Sequence, residues 1–325
     1  MTRWHRLLAA WRARRERWLL LGAALALALG FLNPTLPWRH ALFEQVVVLD
    51  ITQSMNVQDQ RLGGKPVSRL AFAKHTLRQS LLALPCGSKV GWAIFTEYRS
   101  YLLFAPVEVC AHLDELRGTL DAIDNRMAWV GASEVAKGLH SGLSIARQLP
   151  GTPALVFVTD GHESPPLNPR HRPAFDDKPG EVRGLVVGVG ALQASPIPKT
   201  DPAGRPLGFW AADEVLQSDP RSRGRGASVS GERLVDDAAP VASALAAAAL
   251  GATPGSEHLS ALHEAYLRLL AGETGLGFHH LDSAEGLAAA MTAPALARPV
   301  AVRADGRVPL ALLALVLLLL RYRTV

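Results

Sequence analysis

Cysteine is nearly missing from this chain: two residues in 325, too few to staple a small disulfide-held scaffold. Charged residues are sparse at 19%, against 49% apolar, and that balance excludes a disordered chain. Only two stretches are lipid-soluble, which excludes a polytopic membrane protein. A complete glycine-rich phosphate loop is lacking too. Gly63-Gly64-Lys65 has no upstream glycine spacing, and Gly188-x-Gly190 has neither a third glycine nor a following helix signal, so both read as turns.

The net charge of +5 would suit nucleic acid if it were spread over a face. It is not. Arg3, Arg6, Arg12, Arg14, Arg15 and Arg17 against Glu16 put +5 in residues 1–17, and Arg321 and Arg323 add +2, so the chain between carries −2. No nucleic-acid partner is expected. The basic tails flank the two apolar runs, Trp18–Leu32 (extended by Asn33, Pro34 and Thr35) and Val308–Leu320. At 1.5 Å per residue each covers roughly 20–22 Å, and Arg17, Trp18 and Arg321 could snorkel towards the ~30 Å needed. The first run could instead be a signal peptide cut near Ala26-Leu27-Ala28, but aromatics flank it and no clean cleavage site closes it. The expectation is two transmembrane helices, 18–36 and 308–320, with tails 1–17 and 321–325 cytoplasmic and the chain between them on the opposite side.

Between the runs, apolar strand-length segments alternate with helical periodicity. Strands are predicted at Gln45–Leu49, Lys89–Phe95, Tyr101–Phe104, Ala154–Val158, Leu185–Val189 and Gly277–Leu281, and helices over Ser68–Leu84 and Ser133–Leu149. Such alternation predicts a doubly wound, mostly parallel six-stranded α/β sheet covered on both faces. The gap between 95 and 101 is too short for a crossover helix, so that pair is an antiparallel hairpin at the sheet edge. Its midpoint lies near Tyr98, from which Cys86 and Cys110 are equidistant, so they should meet at the hairpin's open end and form a disulfide in an oxidising compartment. From 191 to 256 proline, glycine, serine and arginine dominate, with Arg221, Arg223 and Arg225 in a solvated loop and Ala238–Leu250 as a helix candidate; this reads as an insertion before the last strand.

Ligands of open parallel sheets sit beyond the strands' carboxyl ends. There the first strand runs into Asp50-Ile51-Thr52-Gln53-Ser54, the fourth into Thr159-Asp160-Gly161, and a loop entering a helix carries Ser133. Alternate residues of a turning loop can all face inward. Two carboxylates and three hydroxyls make an oxygen shell for a hard divalent cation, with a protein charge of only −2, which leaves the ion open to an outside carboxylate.

With these residues the chain resembles a von Willebrand factor A domain with a metal-ion-dependent adhesion site, over roughly 42–291. The resemblance implies Thr52 and Ser54 as direct ligands, Ser133 as the loop hydroxyl, and Asp50 and Asp160 as carboxylates acting directly or through water. The family usually has Ser at the place of Thr52 and Thr at that of Ser133, and both swaps keep the hydroxyl. The cation is expected to be Mg2+, with Ca2+ or Mn2+ compatible. The flanking runs, Val189-Gly190 with Pro196-Ile197-Pro198, and Glu264 through Leu281 resemble the bacterial membrane-bound Bat type. DITQSMNVQD and TDGHESPPLNP look closer to Mxa-type accessory proteins of methanol oxidation. That implies a protein in the bacterial inner membrane with its domain in the periplasm. Its function would be to grip a protein partner's carboxylate while assembling, maturing or metal-loading a periplasmic dehydrogenase. Other proteins of the same fold and a AAA ATPase are further candidate partners.

Catalysis is not expected. Asp50-Ile51-Thr52 resembles the nucleophile motif of haloacid-dehalogenase phosphatases, but those need a carboxylate where Thr52 stands. His279 and His280 point to opposite faces of a strand and cannot share a metal. His162, two residues past Asp160, is a candidate contact for a bound partner, or a solvated loop histidine. Glu134 is a rim candidate or a first-turn carboxylate favoured by the helix dipole. An alternative partner surface is the 191–256 insertion, with the metal merely structural.

Overall fold

The computed structural model describes residues 3–32, 35–128, 131–167, 172–201, 203–215, 232–234 and 256–322. The chain forms two compact units, one of residues 42–298 and one of residues 1–41 with 299–325.

The larger unit is a mixed α/β domain built on one six-stranded sheet. Its strands are β1 (Glu44–Asp50), β2 (Lys89–Thr96), β3 (Arg99–Glu108), β4 (Ala154–Thr159), β5 (Gly184–Gly188) and β6 (Gly277–His280), ordered β6-β5-β4-β1-β2-β3. All neighbours are parallel except β2 and β3. Val46 and Val48 of β1 pack into one apolar cluster, Val47 and Leu49 into the other, as alternation on a sheet buried on both faces requires. Helices α2 (Arg69–Ser80), α3 (Leu113–Ala122) and α6 (Ala284–Met291) cover the face of Val47 and Leu49 through Leu77, Leu116 and Leu287. Helices α4 (Val135–Gln148) and α5 (Glu264–Thr274) cover the other through Leu139, Leu143 and Leu267. From β1 the chain winds to one side through β2 and β3, then crosses back to β4, β5 and β6. The winding therefore reverses between β1 and β4, where a crevice opens at the carboxyl ends.

The β2–β3 hairpin turns tightly at Glu97 and Tyr98, with Thr96 opposite Arg99. Cys86 and Cys110 are disulfide-bonded at its open end, Cα atoms 5.3 Å apart. The Glu108 carboxylate accepts from the Gly87 and Ala111 backbone amides and locks the same corner. With the cysteines 24 positions apart, reduction should cost about 2–4 kcal/mol of stability, read as a lower unfolding midpoint in denaturant with reductant.

The smaller unit pairs strand Thr35–Leu42 with strand Arg298–Asp305, and helix α1 (Arg3–Phe31) with helix α7 (Arg307–Tyr322). Ala23, Ala26 and Ala314 are buried between the helices, and a Cβ on Gly22 would lie 3.2 Å from Leu317. Small residues thus let the two backbones close. Leu21, Leu25 and Phe31 of α1 and Leu312, Leu315 and Leu319 of α7 are exposed.

The prediction of two transmembrane helices is corrected here: among the described residues no helix is long and apolar enough to cross a membrane. The 16 residues of α7 span about 24 Å, short of a ~30 Å core. The 29 residues of α1 would reach, but the apolar part begins only at Trp18, and the arginine-rich segment expected as a tail is helical as well. Of the 191–256 insertion, short hairpin strands at Pro198–Thr200 and Pro206–Phe209 are described. Arg221, Arg223, Arg225 and the Ala238–Leu250 helix candidate lie outside the described residues.

Candidate metal centre

Asp50 ends β1, fully buried between the ends of β2 and β4. One of its carboxylate oxygens, Oδ1, accepts from the Thr52 backbone amide (2.8 Å) and the Thr52 hydroxyl (2.7 Å), while Oδ2 accepts from the Thr159 hydroxyl (2.6 Å). The Thr52 and Ser54 hydroxyls lie 3.3 Å apart. Both are buried although they sit in a loop, a 3-10 turn over Gln53–Asn56 having folded them inward.

Ser133 comes from a loop far away in sequence, and the backbone states where it lands. It bridges Glu97, just past β2, and Ser164, just past β4. Since β1 lies between β2 and β4, Ser133 is held over the carboxyl end of β1, above Asp50, Thr52 and Ser54. Its hydroxyl is buried and has no hydrogen-bond partner among the described residues. An orphaned buried hydroxyl costs about 1–3 kcal/mol unless something meets it.

Asp160 follows β4, fully buried. Its Oδ1 accepts from the His162 backbone amide (3.0 Å). Its Oδ2 is held by a residue that sequence reasoning missed: Arg69, with no exposure, donates from Nη1 to Asp160 at 2.5 Å. The same guanidinium grips Asp59 through Nε and Nη2 (3.0 and 2.7 Å), and Ser260 through its hydroxyl (2.6 Å) and carbonyl (3.0 Å). Gly190 makes room for it: φ there is +129°, and a Cβ would stand 2.7 Å from Arg69 Nε. The sequence held one signal for Arg69. It shares a helical stripe with Ala73, Thr76 and Ser80, all buried, so a charge on that stripe should have been read as a paired one. Asp59 and Ser260 carry no such signal.

The two carboxylates are driven apart in acidity. Burial, followed by the charge of Asp160, pushes Asp50 up to about 7, against the opposing hydrogen bonds of Thr159 and Thr52. Burial acts on Asp160 in the same direction, but Arg69, with help from His162 and Ser54, outweighs it and holds Asp160 below its ordinary value. His162 is buried too, and burial depresses it to about 4, so it is neutral at neutral pH. It is therefore not a solvated loop histidine. Glu134, the rim candidate, precedes α4, pairs with Lys137 Nζ at 2.8 Å and donates its backbone amide to Glu97.

Asp50, Thr52, Ser54, Ser133 and Asp160 are thus gathered at the β1/β4 crevice, and their all-oxygen character with one unsatisfied hydroxyl fits a hard divalent cation. Cys86, Glu108 and Cys110 also cluster, but the disulfide removes both thiolates as ligands.

No protein family's profile matches the sequence, and no curated protein does. Among solved structures, the chain is similar to an aerotolerance-related membrane protein from Bacteroides fragilis bearing multiple mutations to serine. Identity is 17% and TM-score 0.48, covering 78% of this chain and 98% of that one. It is also similar to the conserved hypothetical protein BatB of Bacteroides thetaiotaomicron, at 15% identity and TM-score 0.45, covering 77% and 95%. A third is the PilB minor pilin of Streptococcus sanguinis, at 14% identity and TM-score 0.36, covering 79% and 60%.

Proposed function

We propose that the chain is a membrane-associated module of von Willebrand factor A type that holds a divalent cation, Mg2+ by preference, and grips a protein partner through it. The observation that carries this reading is Ser133: a hydroxyl suspended over the end of β1, buried and without a partner among the described residues. Asp50, Thr52, Ser54 and Ser133 would hold the cation, with Asp160 acting from behind because Arg69 and His162 already engage its oxygens. When bound, the ion supplies an open coordination position for a carboxylate from outside. Thr52 and Thr159 orient Asp50, Arg69 cancels the charge of Asp160, and the low net charge of the shell favours an incoming anion.

No catalytic step is assigned, since Thr52 stands where a phosphatase would need a second carboxylate. The exposed leucines of α1 and α7 support attachment to lipid, and the disulfide supports a domain in an oxidising compartment such as the periplasm. The strings DITQSMNVQD and TDGHESPPLNP support a role in assembling or metal-loading a periplasmic quinoprotein dehydrogenase.

A tagged pull-down from solubilised membranes tests the reading. A partner captured by wild type and lost both with chelator and in Ser133→Ala supports it; a partner held regardless of either moves the interaction to the 191–256 insertion. The cation should also bind more weakly in acid. Asp50 must shed its proton to bind, so the apparent Mg2+ affinity should fall about tenfold per unit as pH drops below about 7, read by calorimetry from pH 8 to 5.

A further inference from the structure

The smaller unit carries a charge that the cation site does not use. Its helices α1 and α7 hold eight arginines, no lysine and one acid, Glu16, and six of those arginines lie between Arg3 and Arg17. The two helices run antiparallel: a Cβ on Gly22 would meet Leu317, while Gly30 and Phe31 line one groove with Arg307. Arg321, four residues past Leu317, therefore comes level with Trp18 and joins the same basic end.

The aromatic residues of α1 follow a spacing of their own. Trp4, Trp11 and Trp18 recur every seven residues, and Leu25 continues the row. Seven residues fall about 20° short of two helical turns, so the four positions share one stripe. By the same geometry Leu7 and Leu21 widen the stripe, and Arg14 and Arg15 fall on its two flanks. Trp18, Leu21 and Leu25 are exposed, because α7 packs on the side of Ala23 and Ala26 instead. Arg15 and Arg17 are exposed as well. A row of tryptophan and leucine bordered by arginine suits the boundary of a bilayer, where indoles sit at headgroup depth and guanidinium forks meet phosphate. A polynucleotide would satisfy the arginines and leave the leucines in water.

We propose that α1 lies along the surface of an anionic phospholipid bilayer, its Trp4–Trp11–Trp18–Leu25 stripe at the acyl boundary and the arginines of residues 3–17, with Arg321, on headgroup phosphates. The inference rests on the membrane association proposed above and adds the lipid class and the face that meets it. Each arginine near an anionic leaflet strengthens binding about fivefold, and the gain fades with salt because it is electrostatic.

The test is limited trypsin digestion of the full chain in lipid nanodiscs, with cleavage after Arg12, Arg15 and Arg17 followed by mass spectrometry and a free arginyl peptide as the control for the protease. Discs of phosphatidylcholine are compared with discs containing about one-third phosphatidylglycerol. The anionic lipid should slow these cleavages at least about tenfold, and about 1 M salt, which shortens the Debye length to about 3 Å, should restore them. The double variant Trp4→Ser, Trp11→Ser keeps every cleavage site and should lose most of the protection. Equal cleavage in both kinds of disc overturns the proposal while leaving membrane association standing, whereas a chain that enters neither overturns the association as well. Protection by polyuridylate equal to that by the anionic lipid would make the arginines a nucleic-acid surface and also overturn the proposal.

Discussion

Replacing Arg69 with methionine should lower the unfolding free energy by about 3–5 kcal/mol, the cost of leaving one side of a buried ion pair uncompensated. At roughly 2–4 °C per kcal/mol for a domain of this size, the melting temperature should drop by about 10–15 °C. The reason is bookkeeping of charge inside the fold. Asp59 and Asp160 both rest on one guanidinium, Asp160 with no exposed surface and Asp59 with little. Lysine at the position should recover only part of the loss, since a single ammonium cannot reproduce a fork that engages Asp59, Asp160 and Ser260 together. Adding Asp160→Asn to Arg69→Met should restore some stability, because the uncompensated charge is then removed with its partner. Scanning calorimetry of the single and double variants checks this, and a loss under about 1 kcal/mol in Arg69→Met would show that the network does not hold the crevice together.

Asp50→Asn should separate folding from binding. The amide keeps the shape and still accepts from Thr52 through its oxygen, while the charge disfavoured by burial and by Asp160 disappears. Without metal, the variant should be as stable as wild type or more so at pH 8. A carboxyl whose pKa is raised by folding favours the folded state in acid and loses that contribution as pH rises towards about 7. Mg2+ binding should nevertheless weaken by roughly 100-fold, since the shell loses the charged ligand at its centre. A variant that binds as wild type does would remove Asp50 from the shell.

Much of this was legible in the chain because the pieces that carry it are local. VVVL of β1 and ALVFV of β4 are buried on both faces and are therefore apolar at every position, which is what marks a central parallel strand. The placement of Asp50 and Asp160 followed from those strands, whereas Ser133 stood only on a loop entering a helix, and where that loop lands depends on the order of the sheet and on its bridges to Glu97 and Ser164. The Cys86–Cys110 bridge was legible from the symmetry of a hairpin. What escaped was set by distance or by brevity. Arg69 meets Asp160 across 91 positions and Ser260 across 191, and no local pattern announces either pairing. Helix α3 has ten residues and helix α6 eight, too short for periodicity to speak. The two apolar runs were read from composition alone, whereas membrane crossing is decided by uninterrupted length.

The central claim is that a divalent cation is held over the end of β1. Thermal unfolding of the full chain in saturating Mg2+ against chelator tests it most directly, with Asp50→Asn and Ser133→Ala alongside. Saturation at about a hundred times the dissociation constant is worth about 2.7 kcal/mol. The account therefore predicts a rise of roughly 5–10 °C in wild type that is lost in Asp50→Asn and reduced in Ser133→Ala. A wild-type chain indifferent to Mg2+, Ca2+ and Mn2+, or a rise of equal size in all three proteins, would contradict it.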